Sequence, residues 1–78
     1  MNHAGLHFWL ATNPMSNVHI DLNIISNGLT NGIHIDNTSY GDDGHTLFDF
    51  NTAQNNALAN YVNANTHMTP TLNQNVGF

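Results

Sequence analysis

The sequence predicts an α+β, β-rich fold: two or three short strands, paired as a hairpin or stacked as a β-arc or solenoid, followed by one C-terminal helix. Three observations predict it. Residues 18–25, VHIDLNII, alternate apolar and polar side chains with period two, the pattern of a half-buried strand. A second alternation, Ile33-His34-Ile35-Asp36, follows the turn signal Asn31-Gly32. Asn51 and Gln54 have the spacing of a capping pair, and Ala53, Ala57, Leu58, Tyr61, Val62 and Ala64 behind them would share one helical face.

The elements follow in order. A short apolar run rich in aromatics makes a first strand at about 6–11, closed by Asn13-Pro14. In the strand at about 18–25, Val18, Ile20, Leu22 and Ile24 are expected inside, with His19, Asp21 and Asn23 facing water. Ser26-Asn27-Gly28 is a turn, and the next strand spans about 33–37. Residues 38–45, with Gly41-Asp42-Asp43-Gly44 at their centre, read as loop. A strand at about 46–50 turns Leu47, Phe48 and Phe50 inward. The helix covers about 52–66, weakened by Asn55, Asn56, Asn60, Asn63 and Asn65 and stopped by Thr69-Pro70. The tail, about 70–78, is an edge strand or disordered. Phe8, Trp9, Phe48, Phe50 and Tyr61 are the expected core aromatics.

Composition narrows the function. At 78 residues the chain makes one small domain, which buries roughly 60% of its unfolded surface and is marginal alone. With no Cys, neither a disulfide nor a thiolate metal site can staple it. Self-association, a bound ion or a place in a larger object would each add stability. The chain has no Lys or Arg, five Asp and six His, for a formal charge of −5 at pH 7. Counterion release from nucleic acid, phosphate capture and attraction to anionic lipid all need Lys or Arg, so nucleic-acid and membrane partners are excluded. No run approaches the roughly 20 apolar residues of a membrane span. LHFWLA, residues 6–11, is too short for a signal-peptide core, and no basic residue precedes it.

As the histidines take up protons, net charge vanishes at about pH 5 to 5.5, where self-association or precipitation is expected. Asn, at 15 residues, suits turns and the amide ladders of stacked β-structure. Lys-free, Cys-free and Asn-rich, the chain fits an extracellular or cell-surface setting.

Two groups of residues are candidates for chemistry. His-Ile-Asp occurs at 19–21 and again at 34–36. Stacked in register about 4.8 Å apart, the two triplets would converge His19, Asp21, His34 and Asp36 into a divalent-metal site. An antiparallel pairing would set His against Asp as ion pairs, and an ordinary solvated sheet face needs neither. Asp42 and Asp43, followed by His45, form a possible carboxylate pair, although their spacing is not that of an EF-hand. An acidic solvated turn accounts for them equally. His3 and His7 have i, i+4 spacing, His67 would sit near the helix end, and Asn37-Thr38-Ser39 is a glycosylation sequon.

FWLATNPMSNVHIDLNIISNGLTNGIHID followed by GDDG resembles the coil repeat of right-handed parallel β-helix proteins and, more narrowly, the central region of polygalacturonase-type pectin hydrolases. Leu29-Thr30-Asn31-Gly32-Ile33 matches that family's Asn-Thr-Asp-Gly-Ile segment, with Asn31 where the family has Asp. Gly41-Asp42-Asp43-Gly44 matches its Gly-Asp-Asp-Cys. The family's later Gly-His-Gly and Arg-x-Lys motifs have no counterpart. The resemblance implies stacked parallel coils and a glycan ligand.

Three expectations of function follow. The first is a non-enzymatic extracellular structural or self-assembling module, its partner another copy in an oligomer or filament. The second is a carbohydrate-binding or polysaccharide-degrading β-helix fragment. The third is a His/Asp module for a divalent metal, with no other cofactor implied.

Overall fold

The computed structural model describes residues 5–10, 13–42 and 45–78. Its eight strands are β1 (Leu6–Phe8), β2 (His19–Asp21), β3 (Ile24–Ser26), β4 (Ile33–Ile35), β5 (Leu47–Asp49), β6 (Thr52–Gln54), β7 (Tyr61–Asn63) and β8 (Thr71–Asn73). They pair in three walls, ordered β1-β4-β7, β2-β5-β8 and β3-β6. Every pairing is parallel. Each strand thus lies on the one three places before it, so the chain winds through three stacked coils in a β-helix-like arrangement. Leu6 sits under Ile33 and Ile33 under Tyr61; His19 lies under Leu47 and Leu47 under Thr71. In the third wall Ile24 lies under Thr52, which forms a bridge to Val76. The extents of 30 × 29 × 14 Å describe a flat disc.

The core is an aromatic and aliphatic column running through the coils. Ile33, Ile35 and Phe48, all 0% exposed, come from the middle coil, as does Ala53 at 1%. Phe48 meets Phe8, Tyr61 and Phe78 edge-on at 5.7, 6.0 and 6.2 Å. Tyr61 and Phe78 stack at 5.1 Å.

The predicted C-terminal helix over 52–66 is not there: the described residues contain no helix, and the fold is all-β. Residues 52–54 and 61–63 are strands instead. The asparagines that weaken a helix decide the outcome. Asn51, read as an N-cap, is buried and bonded to neighbouring coils. Asn55 takes a left-handed backbone with φ 56°, and Asn56 accepts a hydrogen bond from the Gly28 amide, 28 residues away. Side chains with partners in the next coil outweigh a local helical preference that Asn already makes poor.

The expected strand at 18–25 is also broken in two. Leu22 adopts φ 56°, which turns the chain between β2 and β3 and shifts the alternation by one residue. Ile25 is therefore buried at 7%, whereas Leu22 and Ile24, expected inside, are each 76% exposed. Ile20 keeps an inward place beneath Phe48. Trp9 and Phe50, expected in the core, are 68% and 53% exposed. Phe50 has φ 55° at the turn after β5, the counterpart of Leu22 one coil on. The tail contributes the edge strand β8.

Candidate functional site

A ladder of asparagine amides climbs one corner of the coils. Asn23 Nδ2 donates to Asn51 Oδ1 at 3.0 Å, and Asn51 Nδ2 donates to Asn75 Oδ1 at 3.0 Å. The backbone amides of Asn23 and Asn51 donate to the same two oxygens, at 3.2 and 3.0 Å. The second hydrogen of each amide goes down one coil: Asn51 Nδ2 to the Ile20 carbonyl and Asn75 Nδ2 to the Phe48 carbonyl, both at 2.9 Å. Asn51 is 0% exposed, and this network supplies every partner its amide needs. Leu22, Phe50 and Gln74, the residues just before these asparagines, all take φ between 55° and 57°. One left-handed residue followed by one ladder asparagine is therefore repeated in each coil.

The ladder runs off both ends of the described coils. Asn23 has no coil below it, and its Nδ2 turns instead to the Asp21 carbonyl at 2.9 Å. Among the described residues Asn75 has no ladder asparagine above it. The walls end likewise, with β1, β2 and β3 on one side and β7 and β8 on the other lacking an outer neighbour among the described residues.

The predicted site residues fall elsewhere. His19 and Asp21 lie on β2, in the β2-β5-β8 wall, while His34 lies on β4 and Asp36 just after it, in the β1-β4-β7 wall. The two triplets are fifteen residues apart, about half a coil, so the fold sets them on different walls. Among the described residues no group of three or more His, Cys, Asp or Glu is arranged to hold a metal ion.

Each triplet finds other partners. His34 lies over His7, their rings 5.4 Å apart, and the Asp36 carboxylate bridges them: Oδ2 lies 2.5 Å from His7 Nε2 and Oδ1 lies 3.3 Å from His34 Nε2. Asn31 Nδ2 sits 3.4 Å from His34 Nδ1. On the other wall, Asp21 lies in register with Asp49, and Asp49 with Asn73. His19 Nε2 stands 3.9 Å from Asp21 and 3.8 Å from Asp49, and Asn73 Nδ2 donates to Asp49 Oδ1 at 3.0 Å. The Asn73 donor offsets part of the repulsion of the stacked carboxylates.

Asp42, half-buried, accepts the Thr69 backbone amide on Oδ1 at 3.1 Å, so it anchors the turn before β8. His45 is exposed. Asp43 lies outside the described residues, as do Gly44 and His3, so the GDDG motif is described only at Gly41 and Asp42. Gly41 is closely packed: a Cβ there would lie 1.9 Å from the His67 carbonyl oxygen. Burial raises the Tyr61 hydroxyl above its usual pKa; a hydrogen bond with Asn63 opposes the rise and the Asp42 charge adds to it.

Sequence reasoning missed the ladder as a site. A signal for it exists in Asn23 and Asn51, which are 28 positions apart, as are Ile24 and Thr52. No protein-family model matches the chain, nor does any curated protein or solved structure.

Proposed function

We propose that this chain is a structural module that assembles with copies of itself. One observation carries the reading: among the described residues four of the six buried apolar side chains, Ile33, Ile35, Phe48 and Ala53, belong to the middle coil, with Ile25 alone from the coil below and Met68 alone from the coil above. Phe48 is 0% exposed, but its counterpart above, Leu72, is 45% exposed, and Ile20 below is only half-buried. Among the described residues the strands of the first and third coils lack an outer neighbour, and Ile24, Leu72 and Val76 on them are exposed. Covering them adds hydrophobic burial at about 25 cal/mol per Å² and satisfies ladder donors and acceptors that otherwise rely on water. The extracellular setting favoured by composition belongs to the same reading.

Sedimentation at two concentrations, at pH 7.5, tests it. A weight-average mass that rises with concentration is the expected result, and a strict monomer at both concentrations removes the proposal. The parallel stack is also what a likeness to pectin hydrolases implied, which supports a glycan ligand as the second reading. Release of reducing ends from pectin, or retention on a glycan array, is its test.

A further inference from the structure

We infer that the copies join head to tail, with the first coil of one chain seated on the third coil of the next and the asparagine ladder running through the junction. The inference rests on the assembly reading and adds its geometry.

The main-chain groups at the two ends match in phase. In a parallel pair, alternate residues point to opposite neighbours. Leu47 N–H donates to the Val18 carbonyl and Leu22 N–H to the Asp49 carbonyl, so Val18 and Leu22 face β5 while His19 and Asp21 face away from it. Thr71 N–H donates to the Thr46 carbonyl and Phe50 N–H to the Asn73 carbonyl, so Thr71 and Asn73 face β5 while Leu72 faces outward. With His19 of a second copy set over Thr71, Leu72 would bond to His19 and Asp21 as Phe48 serves Thr71 and Asn73. Pro70, which has no N–H, falls where Val18 and Thr46 supply only a carbonyl, so it costs the junction nothing.

The ladder matches as well. Asn23 Oδ1 occupies the position that accepts both donors of the preceding asparagine in the other coils. Asn75 supplies those donors, its backbone N–H and its second Nδ2 hydrogen, neither of which has a partner among the described residues. The Leu72 carbonyl corresponds to those of Ile20 and Phe48, and is placed to take the Asn23 Nδ2 hydrogen of the second copy. Side chains agree with this register: Val76, 63% exposed, would cover Ile24, 76% exposed. A hollow of about 250 Å³ beside Ile24, lined by Gly5, Leu6, Asn23, Ile25 and Ser26, lies on the same coil.

A disc of 30 × 29 Å offers on the order of 600 Å² per end, somewhat below the roughly 800 Å² per partner of a standard interface, with main-chain bonds of three walls added. Because the two ends differ, the contact is heterologous and stacking along the coil axis leaves it open, so it grows a filament.

The test uses two end variants and a lateral control. Leu72→Lys sets a charge on the outer end where the monomer leaves it in water and a stack would bury it. Asp21→Pro removes an outward N–H at the other end. Phe50→Lys alters the side of the middle coil, away from both ends. Circular dichroism first confirms β-structure in each. Sedimentation is expected to show the concentration for half-assembly raised at least tenfold in either end variant and unchanged in Phe50→Lys. An equimolar mixture of the two end variants, each retaining one intact end, is expected to give a dimer that neither forms alone. Assembly that survives both end variants, is abolished by Phe50→Lys, or gives no dimer on mixing overturns the head-to-tail geometry while leaving self-assembly standing. A wild-type chain that never assembles overturns both. If one variant does not fold, substoichiometric addition of the other to wild type must shorten the assemblies, and failure to do so counts against the proposal.

Discussion

Leu22, Phe50 and Gln74 hold left-handed backbone that costs an ordinary L-residue about 1 to 2 kcal/mol, and only glycine, asparagine and aspartate visit it readily. At Leu22, 76% exposed, the side chain recovers little of that by packing. Leu22→Asn should therefore stabilise the chain by about 0.5 to 1 kcal/mol, read as a higher urea midpoint at unchanged slope. Tyr61 makes a second prediction. Its folded pKa is raised, so its contribution is fully present below about pH 10, the unfolded value, and is lost as pH rises through the higher folded one. Stability measured from pH 9 to 11 should fall, and Tyr61→Phe should make that fall shallower. A wild-type and variant pair with the same alkaline slope would contradict this.

Each turn before a ladder asparagine is a unit of one left-handed residue and one buried or half-buried amide, and it holds adjacent walls at a fixed angle. Asn51→Leu tests that unit. It removes the Nδ2 bonds to the Ile20 carbonyl and to Asn75 Oδ1, which keeps the main-chain N–H of residue 51, and it leaves both Asn23 donors without their acceptor, at about 1 to 3 kcal/mol for each group left buried and unpaired. A loss of about 3 kcal/mol or more is expected by chemical denaturation, and a loss below 1 kcal/mol would show that the ladder is decorative. Gly41→Ala should also be severe, by about 2 kcal/mol or more, because the obstructing atom is the His67 main-chain oxygen, which cannot move without shifting its coil. Thermal melting of the variant checks it.

For the molecule as a whole, the flat disc sets the stability problem. Most of the buried apolar side chains lie in the middle coil, so the proposed assembly would couple folding to association. The thermal midpoint should rise with protein concentration, because anything that binds only the folded chain stabilises it by mass action. A midpoint constant over a hundredfold range would place the chain's stability wholly within the monomer. Net charge works against this association at pH 7 and fades toward pH 5.5, so turbidity should grow on acidification.

The sequence by itself determined the chemistry of the pieces. Period-two patterning set Ile33 and Ile35 inward and His34 between them facing out, and Asn content indicated amide ladders. Only the tertiary structure decided which strand lies on which. A coil of 24 to 28 residues places Asn51 between Asn23 and Asn75, and His7 under His34, whereas the repeat visible to the eye, His-Ile-Asp every fifteen, joins nothing. Local pattern could not choose between a helix and two strands over 52–66, because the partners that settle it, Asn23 and Gly28 in the coil below, are about 28 residues away. Side-chain alternation is a short-range property of the backbone, but the stacking period is set by how much chain each coil needs to close around its core.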